Sequence, residues 1–335
     1  MPYLRTASTL LFLVVFASLC AAEDSLADLP KKAAERSQIT LPGSRPFVLK
    51  AKVLEVTNPS NEQYKAEIEE QWVAPDKWRR TVKTADFSQT LIVNGAKTSE
   101  QLTGDYYPNW LRTIVAATFE PGTILKNVDL AHSSDNPVLG GNKVCRRFTF
   151  MAGVGSISNK VFSSYCFDNG LVDYVVTPGY DVVYKNYKEF AGKHVAQTIS
   201  ETVESGTVLE STIEELAELK SPDAAMFAGQ GTNPPLQTIR ADETTLRSLV
   251  VGAPDIVWPA VHGGNAKGTL SLYVCVDRTG HAREIYELNS SNSGLSDAAR
   301  DQVMKLHFKT ASSHGVPVQA EGILTFAFHT TASDK

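Results

Sequence analysis

The chain has 335 residues, four cysteines and a formal net charge of −5. That length exceeds one ordinary domain of about 100–200 residues and points to two. The mildly acidic balance, one unit more negative once Arg5 leaves with a leader, argues against nucleic acid as a partner.

At the N-terminus, Arg5 precedes an uncharged run from Leu10 to Leu19, followed by Cys20-Ala21-Ala22-Glu23. This is the basic start, short apolar stretch and small-residue exit of a secretory signal peptide, with cleavage expected after Ala22. The alternative is an uncleaved anchor, although a spanning helix needs about 20 apolar residues and this run is shorter. A lipoprotein role for Cys20 is weaker still, because Leu19 stands where a small residue is expected. No later run approaches membrane length, so the expectation is an exported, periplasmic protein. Its expected organisation is a leader over 1–22, a lead-in over 23–45, a first domain over 46–220, a linker over 221–240 and a second domain over 241–335.

From Pro46 to Glu214 long alternating strands follow one another. Tyr64, Ala66, Ile68 and Trp72 share one side of a strand, with Lys65, Glu67, Glu69 and Gln71 on the other, the pattern of a sheet wetted on one face. Asn94-Gly95, Asp168-Asn169-Gly170 and Glu204-Ser205-Gly206 supply hairpin turns. Between Pro108 and Pro121 the stripe Trp110, Leu111, Ile114, Val115 and Thr118 predicts a helix that covers the apolar side. Cys145 and Cys166 lie in two alternating segments on either side of a turn near Gly155, which places them opposite each other and predicts a disulfide. Cys275 is left over and reads as a small sheltered thiol. Ala217–Phe227 reads as helical, and the Gly- and Pro-rich stretch from Ala228 to Pro235 as a linker. A short helix is expected to start near Ala241-Asp242-Glu243-Thr244.

In the second domain Leu270, Leu272, Val274 and Val276 alternate with Thr269, Ser271, Tyr273 and Cys275, the period of a half-buried strand. Asp277-Arg278-Thr279-Gly280 turns the chain into a second strand. Ser296 and Asp297 offer capping chemistry before Ala298, Ala299, Gln302, Val303 and Leu306, an amphipathic helix. A last strand alternates Ile323, Thr325 and Ala327 with Leu324, Phe326 and Phe328.

These pieces, in order, resemble the C-terminal domain of TonB-type energy transducers: Trp258-Pro259-Ala260, Gly268-Thr269, the 277–280 turn, Leu295–Ala299, Leu306–Ala311, Gly315–Val318 and Phe326–Phe328. The chain departs from that family in carrying LHFKTA where WRFxPA is usual and Trp-Pro where Tyr-Pro is usual. The resemblance implies a β-β-α-β module that captures an extended peptide along an open strand edge, here Ile323, Leu324, Thr325, Phe326, Ala327 and Phe328, with an outer-membrane receptor or another envelope protein as partner. The opposing reading has that edge closed by the preceding domain or by a second copy. A second resemblance, to the half-barrel of LolA-type lipoprotein carriers, rests on Gln71–Pro75 running into Trp78-Arg79-Arg80, on Leu91–Gly95, and on Tyr184–Phe190 followed by Gly192. It implies an apolar hollow for a lipid or other apolar ligand, with Trp72, Trp78, Trp110 and Ile114 as lining candidates. The plainer alternative is that these side chains fill the sheet–helix interface.

Chemistry is sparsely signalled. The seven histidines are scattered without ligand spacing, so no metal is expected. The glycine clusters lack the setting of a phosphate loop, and no cofactor is expected. No nucleophile elbow occurs, and Glu69-Glu70 and Glu214-Glu215 read as solvated charge. The expectation is therefore an α+β protein, a curved antiparallel β half-barrel with a covering helix joined to a small β-β-α-β domain. It acts as a binding or transport-accessory protein and not an enzyme. The alternatives are an anchored energy transducer, a structural envelope scaffold or, further off, a hydrolase using the half-barrel.

Overall fold

The computed structural model describes residues 29–121, 138–140, 143–154, 157–203, 206–229, 235–252, 256–259 and 267–330. The expected leader with Cys20, together with His132, His262 and the linker positions 230–234, lies outside the described residues.

In β1 (Phe47–Glu55) the row Phe47, Leu49, Ala51 and Val53 is buried, while Lys50, Lys52 and Leu54 are exposed. Period-two alternation of this kind commits a strand to one covered face. Four further strands follow it as a meander, β2 (Ala66–Ala74), β3 (Lys77–Lys83), β4 (Ser88–Asn94) and β5 (Lys97–Thr103). Beyond helix α2 (Asn109–Phe119) the chain lays down β6 (Val138–Gly140), β7 (Lys143–Val154), β8 (Ile157–Asp168), β9 (Leu171–Thr177), β10 (Tyr180–Phe190), β11 (Lys193–Thr202) and β12 (Val208–Glu218). All twelve form one antiparallel sheet in the order β5-β4-β3-β2-β1-β12-β11-β10-β9-β8-β7-β6. Its open ends are consistent with a half-barrel. The join is β1 against β12, with a bulge after Lys50.

Helix α2 lies on the apolar face as its stripe predicts. Leu111, Ile114 and Phe119 are fully buried among Phe47, Leu49, Ile68 and Trp72, each contributing about 2 kcal/mol of apolar transfer. An additional helix, α1 (Leu29–Ser37), packs on β9 and β11; Arg36 donates to the Asn169 carbonyl at 2.5 Å, and Lys193 donates to that of Glu35. Nothing in its polar sequence announces it.

The second sheet has the order β13 (Thr238–Arg240), β17 (Val316–His329), β14 (Lys267–Val276), β15 (Ala282–Ser290), with β16 (Ala311–Ser313) paired to β17. Helices α3 (Glu243–Leu249) and α4 (Ser296–Val303) complete it. Asp242 caps α3 by accepting from the Thr245 N–H at 2.7 Å. The order β14-β15-α4-β17 is the expected β-β-α-β.

Three local expectations are corrected. Ala217 and Glu218 are the end of β12, paired with Val48 and Phe47, and only Ala224–Phe227 forms a 3-10 turn; strand pairing overrides the helical propensity of ELAELK. The Ser296 side chain makes no cap hydrogen bond, and its hydroxyl is buried without a partner. Finally, β14 is buried on both faces. Leu270, Leu272 and Val274 meet Ala299 and Val303 of α4, while Tyr273 and Cys275 turn toward the first sheet.

Candidate functional site

The turn Asp277–Gly280, the start of α2 and the β9–β10 turn converge where the two sheets meet. Asp277 accepts from the Thr279 and His281 N–H groups at 2.8 and 3.0 Å, which stiffens the hairpin and aims Arg278 outward. Burial alone would raise the Asp277 carboxyl, but these donors and Arg283 hold it below the usual range. Arg278 then grips Asp105 at 2.7 Å across the seam.

The segment from Asp105 to Arg112 is held almost residue by residue by the second sheet. The Gln319 amide accepts from the Tyr107 N–H at 2.6 Å and donates to its carbonyl at 3.1 Å, acting as a one-residue strand partner. Burial pushes the Tyr107 phenol up to about 12. Arg112 donates to Glu321 at 2.7 Å, and Arg240 approaches the same carboxylate at 3.6 Å. Burial would raise Glu321, yet Arg112 and Arg240 outweigh it and hold the carboxyl low. Gly179 completes the fit. Its φ of +91° is the left-handed region glycine favours, and a Cβ there would meet the Tyr273 ring at 2.4 Å.

At the centre stands Glu284 of β15. One carboxylate oxygen accepts from the Tyr106 hydroxyl at 2.8 Å and from the Asn109 N–H at 2.7 Å; the other accepts from Tyr286. Pro108 provides α2 with no side-chain cap, so Glu284 caps the helix from the other sheet, where a negative group is favoured. Burial raises the Glu284 carboxyl against the opposing pull of these donors. Next to it, Glu201 of β11 is fully buried and neither of its carboxylate oxygens has a hydrogen-bond partner. Burial, then the Glu284 charge, pushes its pKa well above the ordinary value.

In front of Glu284 opens a cleft of about 530 Å³. Its walls are the 3-10 turn after β1, with Tyr64, the β3–β4 turn, with Asp86 and Phe87, the start of α2, with Trp110, and β15, with Tyr286. Tyr64 meets Trp110 edge to face at 5.9 Å.

Of the four lining candidates read from sequence, only Trp110 borders this opening. Trp72 and Ile114 are 2% and 0% exposed, and Trp72 stacks on Phe47 at 5.6 Å. Trp78 packs at the margin of the same core, its indole N–H donating to Pro75 at 3.1 Å. Trp72 and Ile114 both belong to the buried cluster in which α2 meets the sheet. The expected solvated pair Glu69-Glu70 is also corrected: Glu70 faces inward, fully buried and paired with Arg80, whose guanidinium lies 4.3 Å from the Phe119 ring centre.

The strand edge Ile323–Phe328 is partly closed. β14 pairs one side throughout, and on the other the Thr325 N–H donates to Glu243 at 2.7 Å while its carbonyl accepts from Arg247. An added strand would have to displace both α3 side chains; only Ala327 and His329 stay exposed. Cys145 and Cys166 face each other on β7 and β8 and are bonded, with Cα atoms 4.0 Å apart, while Cys275 is free and buried. Among the described residues no group of three His, Cys, Asp or Glu side chains is placed to hold a metal. Sequence spacing did not foresee that His281 and His307 meet edge to face at 5.1 Å through a β-bridge.

No protein-family model matches the chain, and no curated protein matches it. Among solved structures it aligns with an outer-membrane lipoprotein-sorting protein domain from Vibrio parahaemolyticus, at 12% identity and a TM-score of 0.30, over 60% of this chain and 95% of that one. It also aligns with a LolA-superfamily protein from Nitrosomonas europaea, at 9% identity and a TM-score of 0.33, over 60% of this chain and 96% of that one.

Proposed function

We propose that this is an exported binding protein of the cell envelope, one that holds a ligand with an apolar body in the cleft between its two sheets and performs no chemistry on it. The cleft carries this reading. A concavity of about 530 Å³ lies within the roughly 300–1,000 Å³ range of small-molecule sites, with aromatic walls and a few fixed polar groups at its base. Export is supported by the Arg5–Ala22 segment and by the Cys145–Cys166 bond, a pairing that persists in oxidising compartments.

A peptide-capturing role for the second sheet, with an outer-membrane receptor as partner, is retained only at the exposed end of β17. There Ala327 and His329 are exposed, and an extended peptide would add along them.

The test is titration with N-phenyl-1-naphthylamine, a neutral apolar fluorophore. Saturable binding of one probe per chain is expected, weakened about tenfold by Tyr64→Ala, which strips one aromatic wall. Non-saturating fluorescence, or an unchanged affinity in the folded variant, would remove the cleft from consideration. Export is checked by intact mass: protein recovered from the periplasm should lack Met1–Ala22.

A further inference from the structure

The cleft's lining is unequal in charge. It carries the carboxylates of Glu62, Asp86, Asp105 and Glu284 against the single guanidinium of Arg283. Part of this is internally compensated, since Lys65 pairs with Glu62 at 2.5 Å and Arg278 with Asp105 at 2.7 Å. Arg283 is itself drawn away, lying 3.4 Å from Asp277 and over the Tyr106 ring. Asp86 has no ion pair among the described residues, and Glu284 takes its hydrogen bonds from neutral donors, with Arg112 acting on it as a charge without a direct bond.

A second observation comes from behind the wall. Val203 lines the cleft just past the end of β11, and Glu201, two residues earlier, is buried with both oxygens unpartnered. Burial favours the neutral form of Glu201, so the charge of the cleft rests with its lining carboxylates. The remaining wall is aromatic. Tyr64, Phe87, Tyr106, Trp110 and Tyr286 line it, and aromatic π-systems attract cations. Carboxylates joined to aromatic faces are poorly matched to a fatty acid or phosphate and well matched to an ammonium group, and the volume is too large for a bare metal ion.

We infer that the cleft selects a small organic cation, an ammonium group on an apolar body, with the charge set between Asp86 and Glu284 and the apolar part against Trp110, Phe87 and Tyr64. This rests on the reading of the cleft as a ligand site. The experiment is isothermal titration of the full chain with three probes sharing one tail, octyltrimethylammonium, octyl glucoside and octyl sulfate, each below its micelle concentration and at low and high salt. The ammonium probe should bind at least about tenfold tighter than the sulfate, with the preference shrinking as salt rises. Asp86→Asn, at an exposed turn position, should weaken the ammonium probe about tenfold and leave octyl glucoside unchanged. Equal binding of all three probes, or an ammonium affinity indifferent to Asp86→Asn, overturns the charge assignment and leaves the apolar cleft standing. If no probe binds the wild-type chain, the cleft itself is not a ligand site and both readings fall.

Discussion

Glu201 shows how a single buried acid can set the pH response of this protein. Its carboxyl is pushed up by burial and by the neighbouring Glu284 charge. A group whose folded pKa exceeds its unfolded one favours the folded state below the unfolded value, near 4.5, and that contribution is lost as pH rises toward the folded pKa. Between the two values the loss is about 1.4 kcal/mol per pH unit. Glu201→Gln should therefore be nearly neutral at pH 4.5 and stabilising at pH 7, as read by urea denaturation at the two pH values; an equal effect at both would contradict the assignment. Residues of this type were partly legible. Glu70 falls in the row of Ile68 and Trp72, and Glu201 in that of Ile199, each an acid inside an apolar alternation. That pattern marks a position as inward without identifying its partner. Arg80, ten residues from Glu70, and Glu284, far from Glu201 in sequence, become neighbours only once the sheets form.

Strands with strict alternation and marked turns were readable at the level of elements. Asn169 and Gly170, with φ of 50° and 71°, form the left-handed pair a two-residue hairpin requires. The β7–β8 hairpin followed as well, with Cys145 opposite Cys166. Because the bond spans 21 residues, its removal should cost about 3 kcal/mol in the chain-entropy model. The Cys145→Ser, Cys166→Ser double variant should show that loss in a denaturant titration, and alkylation of the unfolded, unreduced wild-type chain should modify Cys275 alone among the three cysteines past the leader. Propensity misled where pairing decided. ELAELK favours a helix, yet Leu216, Ala217 and Glu218 continue β12 because Leu49, Val48 and Phe47 offer a ladder. α1 was missed for the opposite reason: it is a short, polar stretch that docks on β9 and β11.

For the molecule as a whole, the linker composition suggested two domains, and buried polar contacts run between the two sheets. Arg112–Glu321 and the bonds from Tyr106 and the Asn109 N–H to Glu284 cross the seam. Truncating one partner of such a pair leaves the other charge buried and costs about 3 kcal/mol. The wild-type chain should unfold in one cooperative transition. Arg112→Ala should separate it into two, followed by tryptophan fluorescence, with Trp72, Trp78 and Trp110 reporting on the first sheet and Trp258 on the second. A single transition in the variant would mean that the apolar contacts of Tyr273 and Ile323 suffice to couple the sheets.

The position of β1 in the middle of the large sheet governs the order in which the protein can be assembled. β1 can pair with β2 as soon as both leave the ribosome, but its other edge must wait for β12, from Glu55 beside Leu209 to Phe47 beside Glu218. Such long-range closure is entropically expensive and slow. Until it occurs, β1 is a bare strand edge open to the wrong partner, and Lys50 and Lys52 along it are the kind of charges that discourage edge-to-edge association. Pulse-labelled hydrogen exchange during refolding should find the β1–β12 amides protected in the last kinetic phase, after those joining β9 to β10.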